Sequence, residues 1–119
     1  MRKLVALAIL LAGLASAGPV WAHAHLVSAE PAVGGTTAPT DTIKITFSEG
    51  IEIDFCKVEV TMDDGMDMGP AKLALDPGSN KVLLVKLPAK LDAGSYKVHW
   101  HAVAEDTHHT EGTFAFTVK

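Results

Sequence analysis

The sequence predicts an all-β fold, a Greek-key sandwich or barrel of about seven short strands. Three observations carry this reading. Apolar and polar residues alternate with period two in one segment after another, clusters of Gly, Pro, Asn and Asp punctuate those segments at regular intervals, and no long window shows helical periodicity. Leu26 and Val27 open a first strand, followed by turn signals at Pro31 and Gly34-Gly35. Thr42–Ser48 alternates, with Ile43, Ile45 and Phe47 on one face, and Cys56–Thr61 alternates again before the turn Asp63-Asp64-Gly65. The turn Asp76-Pro77-Gly78-Ser79-Asn80 precedes a short, mostly apolar strand, Val82–Leu87. After Asp92-Ala93-Gly94 come Tyr96–Trp100, strongly alternating, and Gly112–Val118, which puts Phe114, Phe116 and Val118 on one side.

The first 22 of the 119 residues read as a secretory signal peptide. Arg2 and Lys3 give a basic start, Leu4–Leu14 is almost wholly apolar, and small residues lead to Ala22. That apolar run is shorter than the roughly 20 residues a bilayer span needs, and no second one follows. Residues 23–119 are therefore expected to form one exported domain that does not cross a membrane. Removing the leader leaves 8 basic against 14 acidic residues, a net charge of −6. An acidic, aromatic-poor chain without Lys/Arg clusters argues against nucleic acid and anionic membrane surfaces as partners. Cys56 has no second cysteine to pair with, and its place on an alternating strand reads as a buried thiol.

Three cleavage points satisfy the demand for small residues one and three positions before the cut. A cut after Ala22 exposes His23, one after Ala24 exposes His25, and one after Ala17 exposes Gly18. The first is favoured because it ends the apolar, Trp-containing run. The choice decides the chemistry, because the functional signal lies in six histidines. His23 and His25 then open the secreted chain, His99 and His101 flank Trp100, and His108-His109 sit in the loop from Glu105 to Glu111.

An N-terminal histidine offers two nitrogens. Its α-amine, with a pKa of about 8, deprotonates far more readily than a lysine and chelates together with its own imidazole. Adding the imidazole of His108 makes three nitrogens in a T, the tetragonal field that Cu(II) prefers, and Asp106 can add an oxygen from two residues upstream. The plain alternative is that Asp106 and His109 are solvated loop residues. A competing Cu(II) mode uses only the terminus: the amine, two backbone amides and the imidazole of His25. That mode needs a mobile terminus, whereas a shared site needs one packed on the fold, and Leu26 and Val27 favour packing. A second constellation, Met62, Met66 and Met68 in an Asp- and Gly-rich loop, presents soft thioethers suited to Cu(I). Its plain alternative is methionine packing over a sheet edge. His99 and His101, on the strand face opposite Trp100, read as surface or structural residues.

The run His23-Ala-His-Leu…Glu30-Pro31, Ile45-Thr-Phe47-Ser48-Glu49, Tyr96-Lys-Val-His-Trp100…Asp106-Thr107-His108…Gly112-Thr-Phe114-Ala-Phe116-Thr-Val118 resembles the CopC family of periplasmic copper-resistance proteins. The resemblance covers nearly all of 23–119 and is most specific in the C-terminal block. It implies a cupredoxin-like, immunoglobulin-like β-fold that binds copper in the periplasm and is not a catalyst. It matches His23 to the family's N-terminal histidine, His108 to the second Cu(II) histidine, Asp106 to the neighbouring carboxylate, and Glu49 to a weaker acidic candidate. In the methionine loop Met66 matches a family methionine, Met68 stands where a histidine is found, and Met62 is offset. Asp63 and Ala71 replace other sulfurs, so the loop is poorer in soft donors than the family pattern.

The leading functional expectation is a periplasmic copper carrier or buffer, its partners being the copper ion and a periplasmic or inner-membrane copper-handling protein. Two alternatives belong to other classes. A histidine-brace copper monooxygenase would use the same terminal histidine, yet beyond the leader only Trp100 and Tyr96 are available to bind sugar planes. A structural β-domain would leave the histidines without a specific metal.

Overall fold

Period-two burial runs through the strands of the computed structural model, which describes residues 24–119. In β3 (Thr42–Phe47) the side chains of Ile43, Ile45 and Phe47 are buried while Thr42 is exposed. The other strands are β1 (Leu26–Glu30), β2 (Thr36–Thr37), β4 (Lys57–Met62), β5 (Lys72–Asp76), β6 (Ser79–Lys86), β7 (Gly94–Val103) and β8 (His109–Val118), with one 3-10 turn at Ile53–Phe55. They form two four-stranded sheets, ordered β1-β3-β6-β5 and β2-β8-β7-β4. The two sheets pack face to face, so of the expected alternatives the chain adopts the sandwich and not the closed barrel. The expected signal peptide, residues 1–22, and His23 lie outside the described residues.

Both inner faces fill one core. Ile43, Ile45, Phe47, Leu83 and Val85 come from the first sheet, and Val60, Tyr96, Val98, Trp100, Phe114, Phe116 and Val118 from the second. Phe47 meets Trp100 edge-on across the sandwich, ring centroids 5.2 Å apart, and Tyr96 stacks on Phe116 at 5.7 Å. Trp100 lies directly across from Gly112 in the β7–β8 ladder. A Cβ at Gly112 would stand 2.6 Å from the indole, so only glycine lets the ring lie flat there.

Two departures from the sequence expectations matter for the site. The β7–β8 hairpin is longer than foreseen, pairing continuously from Gly94↔Val118 to Val103↔His109. This carries the rigid ladder up to the histidine loop. In β1 the register slips between Leu26 and Ser28, a bulge that shifts the inward phase. Leu26 packs on the core, but Val27 is 59% exposed, so the expectation that it anchors the strand is corrected. Ala24, fully buried, takes that role. Strand β5, absent from the sequence reading, is an edge strand whose inward Leu73 and Leu75 are only half-buried. Cys56 is buried as expected, its Sγ 3.3 Å from the Glu52 carbonyl, and burial raises its thiol pKa.

Tyr96 donates its hydroxyl to the carbonyl of Asp92 at 2.7 Å, closing the turn that enters β7. Burial raises its pKa, so the folded state resists ionisation. Its contribution is complete below the ordinary tyrosine pKa of about 10 and is lost as pH rises beyond it. Tyr96→Phe should cost about 1 kcal/mol at neutral pH and flatten the alkaline loss of stability. Urea unfolding at neutral and alkaline pH checks both; an unchanged alkaline slope would remove Tyr96 as its source.

Candidate metal centre

Three segments converge at one end of the sandwich: the first described residues, the stretch from Ser48 to Glu52, and the turn from β7 to β8. The chain start is fastened twice. Thr110 on β8 donates its hydroxyl to the carbonyl of Ala24 at 2.6 Å. One residue on, the His25 N–H donates to Ser48 Oγ at 3.1 Å, the His25 ring Nδ1 lies 3.0 Å from the same oxygen, and the Ser48 N–H donates to the His25 carbonyl at 2.9 Å.

The turn itself is tightly wound. Ala104 N–H donates to the His108 carbonyl at 3.0 Å and Thr107 N–H to the Ala104 carbonyl at 2.8 Å. Thr107 has φ of +75°, a left-handed conformation that a β-branched residue adopts only at a cost in strain. The strain has a visible result. It curls the loop so that Asp106 and His108 face each other, where an extended strand would have set them side by side. Asp106 Oδ1 accepts the His108 N–H at 3.2 Å, and Asp106 Oδ2 lies 3.1 Å from His108 Nδ1. A proton on Nδ1 shared with that carboxylate puts the imidazole lone pair on Nε2, the form in which carboxylate-oriented histidines bind metals.

A second wall supports the turn. Glu105 N–H donates to the Gly50 carbonyl at 3.0 Å, and Asn80 Nδ2 donates to Glu105 Oε1 at 2.6 Å. The Glu105 carboxylate lies where a Cβ at position 50 would be, so a side chain there would displace Glu105 from Asn80. Glu52 N–H donates to the Val103 carbonyl at 2.8 Å, and Ile51 bridges Ala104.

The sequence candidates therefore separate. Asp106 and His108 are paired, and His25 is held on the Ser48 anchor. Glu49 is half-buried between Ser48 and Gly50, both tied to the walls of the site. His23 lies outside the described residues. Among the described residues no three His, Cys, Asp or Glu side chains surround one point. The methionine loop is elsewhere. Met62 pairs with Tyr96 near the start of β7, seven residues from Val103, or roughly 24 Å away at about 3.4 Å per residue. Met62 and Met68 pack against the core, and Met66 is 58% exposed. Thr110, Gly50, Glu105 and Asn80 were not among the sequence candidates. Thr110 had one local signal, its position two residues beyond His108; the others act through contacts distant in sequence.

The chain has relatives among known proteins along most of its length. The family model described as the CopC domain matches residues 26–119. "Protein YobA" of Escherichia coli (strain K12) is 37% identical over 115 residues, covering 96% of this chain and 92% of that protein. "Copper resistance protein C" of Pseudomonas syringae pv. tomato is 38% identical over 113 residues, 91% of this chain and 90% of its own. Among solved structures, PcoC, described as a methionine-rich copper resistance protein from Escherichia coli, superposes with a TM-score of 0.75 at 33% identity, over 82% of this chain and all of that one.

Thr110→Val keeps the shape of the side chain and deletes the bond to Ala24. It should cost about 1 kcal/mol and speed amide exchange at His25 and Leu26, with the β7–β8 ladder unaffected. Exchange measured by NMR decides: unchanged protection would mean that Thr110 does not tether the chain start.

Proposed function

This chain belongs to the CopC family, and from that premise we propose that it is a periplasmic copper resistance protein that carries Cu(II) between its N-terminus and the β7–β8 turn. In this reading export removes residues 1–22 and exposes His23. Its amine and imidazole, with the imidazole of His108, supply three nitrogens. Asp106 orients His108 and can add a carboxylate oxygen, while Glu49 is the weaker acidic candidate.

The observation that carries the reading is the 2.6 Å bond from Thr110 to Ala24, on the strand that leaves the Asp106–His108 turn. Covalent geometry keeps consecutive Cα atoms about 3.8 Å apart. A chain beginning at His23 therefore has its amine within one residue of a tethered position. The mode confined to the terminus is less favourable, because it needs the His25 backbone nitrogen that donates to Ser48 and the ring that Ser48 holds.

Family membership also favours binding over catalysis: relatives over most of this length carry the name copper resistance protein C. No described helix is long and apolar enough to cross a membrane. Exposed Glu52, Asp54 and Glu105 fringe the turn beside Phe55, which is 65% exposed. That surface suits release of copper to a basic-faced copper-handling protein of the periplasm or inner membrane. The methionine loop forms a separate, weaker Cu(I) site in this proposal, Met66 offering its sulfur most openly and Met62 and Met68 lining the edge.

The test is the intact mass of the secreted protein with and without one equivalent of Cu(II), together with its EPR spectrum. The mass should correspond to a chain starting at His23 that takes up one ion. His108→Ala should weaken binding at least tenfold, about 1.4 kcal/mol, and change the spectrum without unfolding the protein. A variant that keeps both affinity and spectrum would overturn the assignment.

A further inference from the structure

The solvent face of the second sheet holds three histidines that the Cu(II) site does not use. His99 and His101 lie two residues apart on β7, on the side opposite buried Trp100, and His109 opens β8. The register sets His101 directly across from Glu111, with His109 and His99 on the two diagonals. The rings of His101 and His109 stand edge to face, centroids 5.9 Å apart. His99 Nε2 lies 2.9 Å from Glu111 Oε1, and this contact, with the nearby charges of His99 and His101, holds the Glu111 carboxyl below its usual pKa.

We propose that His101, His109 and Glu111 form a second, weaker divalent-metal site on this face, taking Cu(II) first and Zn(II) next, with His99 positioning Glu111. The ring spacing fits. An imidazole nitrogen binds at about 2.0–2.1 Å and lies about 1.1 Å from its ring centroid, so two rings sharing an ion at angles of about 90–180° have centroids about 4.5–6.4 Å apart. The observed 5.9 Å falls inside that window. Two imidazoles and a carboxylate are a borderline donor set, for which Cu(II) outranks Zn(II). A carboxylate held by a second histidine follows the outer-shell pattern of metal sites.

The donors do not surround one point as they stand. The site closes when the exposed His109 ring turns about its own axis, which leaves its centroid in place, and Glu111 offers Oε2 while Oε1 stays on His99, motions of picoseconds to nanoseconds. Two neighbours on β4 face the same patch: Lys57 lies across from His101 and Glu59 across from His99. With Glu59 and Glu111 against Lys57, the local charge stays negative. This site does not depend on His23, Asp106 or His108, so it stands or falls separately from the function proposed above.

The secreted protein, loaded with one equivalent of Cu(II), is titrated with further Cu(II) in a weakly chelating buffer and followed by EPR and by broadening of NMR amide signals. A second equivalent should bind with its own spectrum and broaden Thr113 and Lys57. His101→Gln should weaken it at least tenfold and leave the first equivalent unchanged. Glu111→Gln should weaken it less, and His108→Ala should spare it. Zn(II) in excess should displace it without touching the first ion. Uptake of one ion only, or a second equivalent unaffected by His101→Gln, overturns the proposal. Circular dichroism confirms that these surface variants remain folded.

Discussion

A hydrogen bond from β8, two residues past His108, holds the beginning of the described chain close to the Asp106–His108 turn. Ala24 is buried at the mouth of the core, and the Thr110 hydroxyl holds its carbonyl at 2.6 Å. Without that bond and the neighbouring His25–Ser48 contacts, the residues before β1 would have no fixed relation to Asp106 and His108. An N-terminal chelate would then pay the ordering entropy of a free tail on every binding event. With them, most of that ordering is built in during folding, so an ion at the proposed site would find few degrees of freedom left to lose.

The rest of the sandwich makes the tether worth having. Ten-residue strands β7 and β8 pair without a break up to the turn, and Trp100 lying on Gly112 and edge-on to Phe47 fixes the hairpin against the opposite sheet. The turn inherits that rigidity and adds its own: a strained Thr107, a carboxylate that grips its neighbour two residues on, and Glu105 fastened to Gly50 and Asn80. Strain of this kind persists only where the surroundings over-determine it. It sits between Asp106 and His108, the two residues proposed to act together on the ion.

Much of this was legible in the sequence, and the exceptions have physical reasons. Alternation in Thr42–Phe47 and in the Phe114–Val118 block marks half-buried strands, because side chains switch faces at every residue. Asp106 and His108 stood out by spacing and residue type. Strand β5 escaped because an edge strand with half-buried leucines and an exposed alanine has little alternation to show. Val27 misled because a bulge resets which residues point inward, and a bulge has no sequence signature of its own here. Thr110, Gly50 and Asn80 were silent for a different reason: each acts on a partner far away in the chain, and only the folded arrangement makes a threonine or a glycine into part of a site. The two metal-binding candidates also proved to occupy opposite ends of one sheet, a separation that linear order does not reveal.

In the proposed function the cupric ion is held jointly by the first residue of the secreted chain and the β7–β8 turn. Its most direct test compares the Cu(II) EPR spectrum of protein starting at His23 with that of protein carrying one extra glycine in front. Displacing the amine by a single residue should destroy the nitrogen-rich spectrum and weaken binding, though the fold and His108 are untouched. Identical spectra and affinities for the two forms would contradict it.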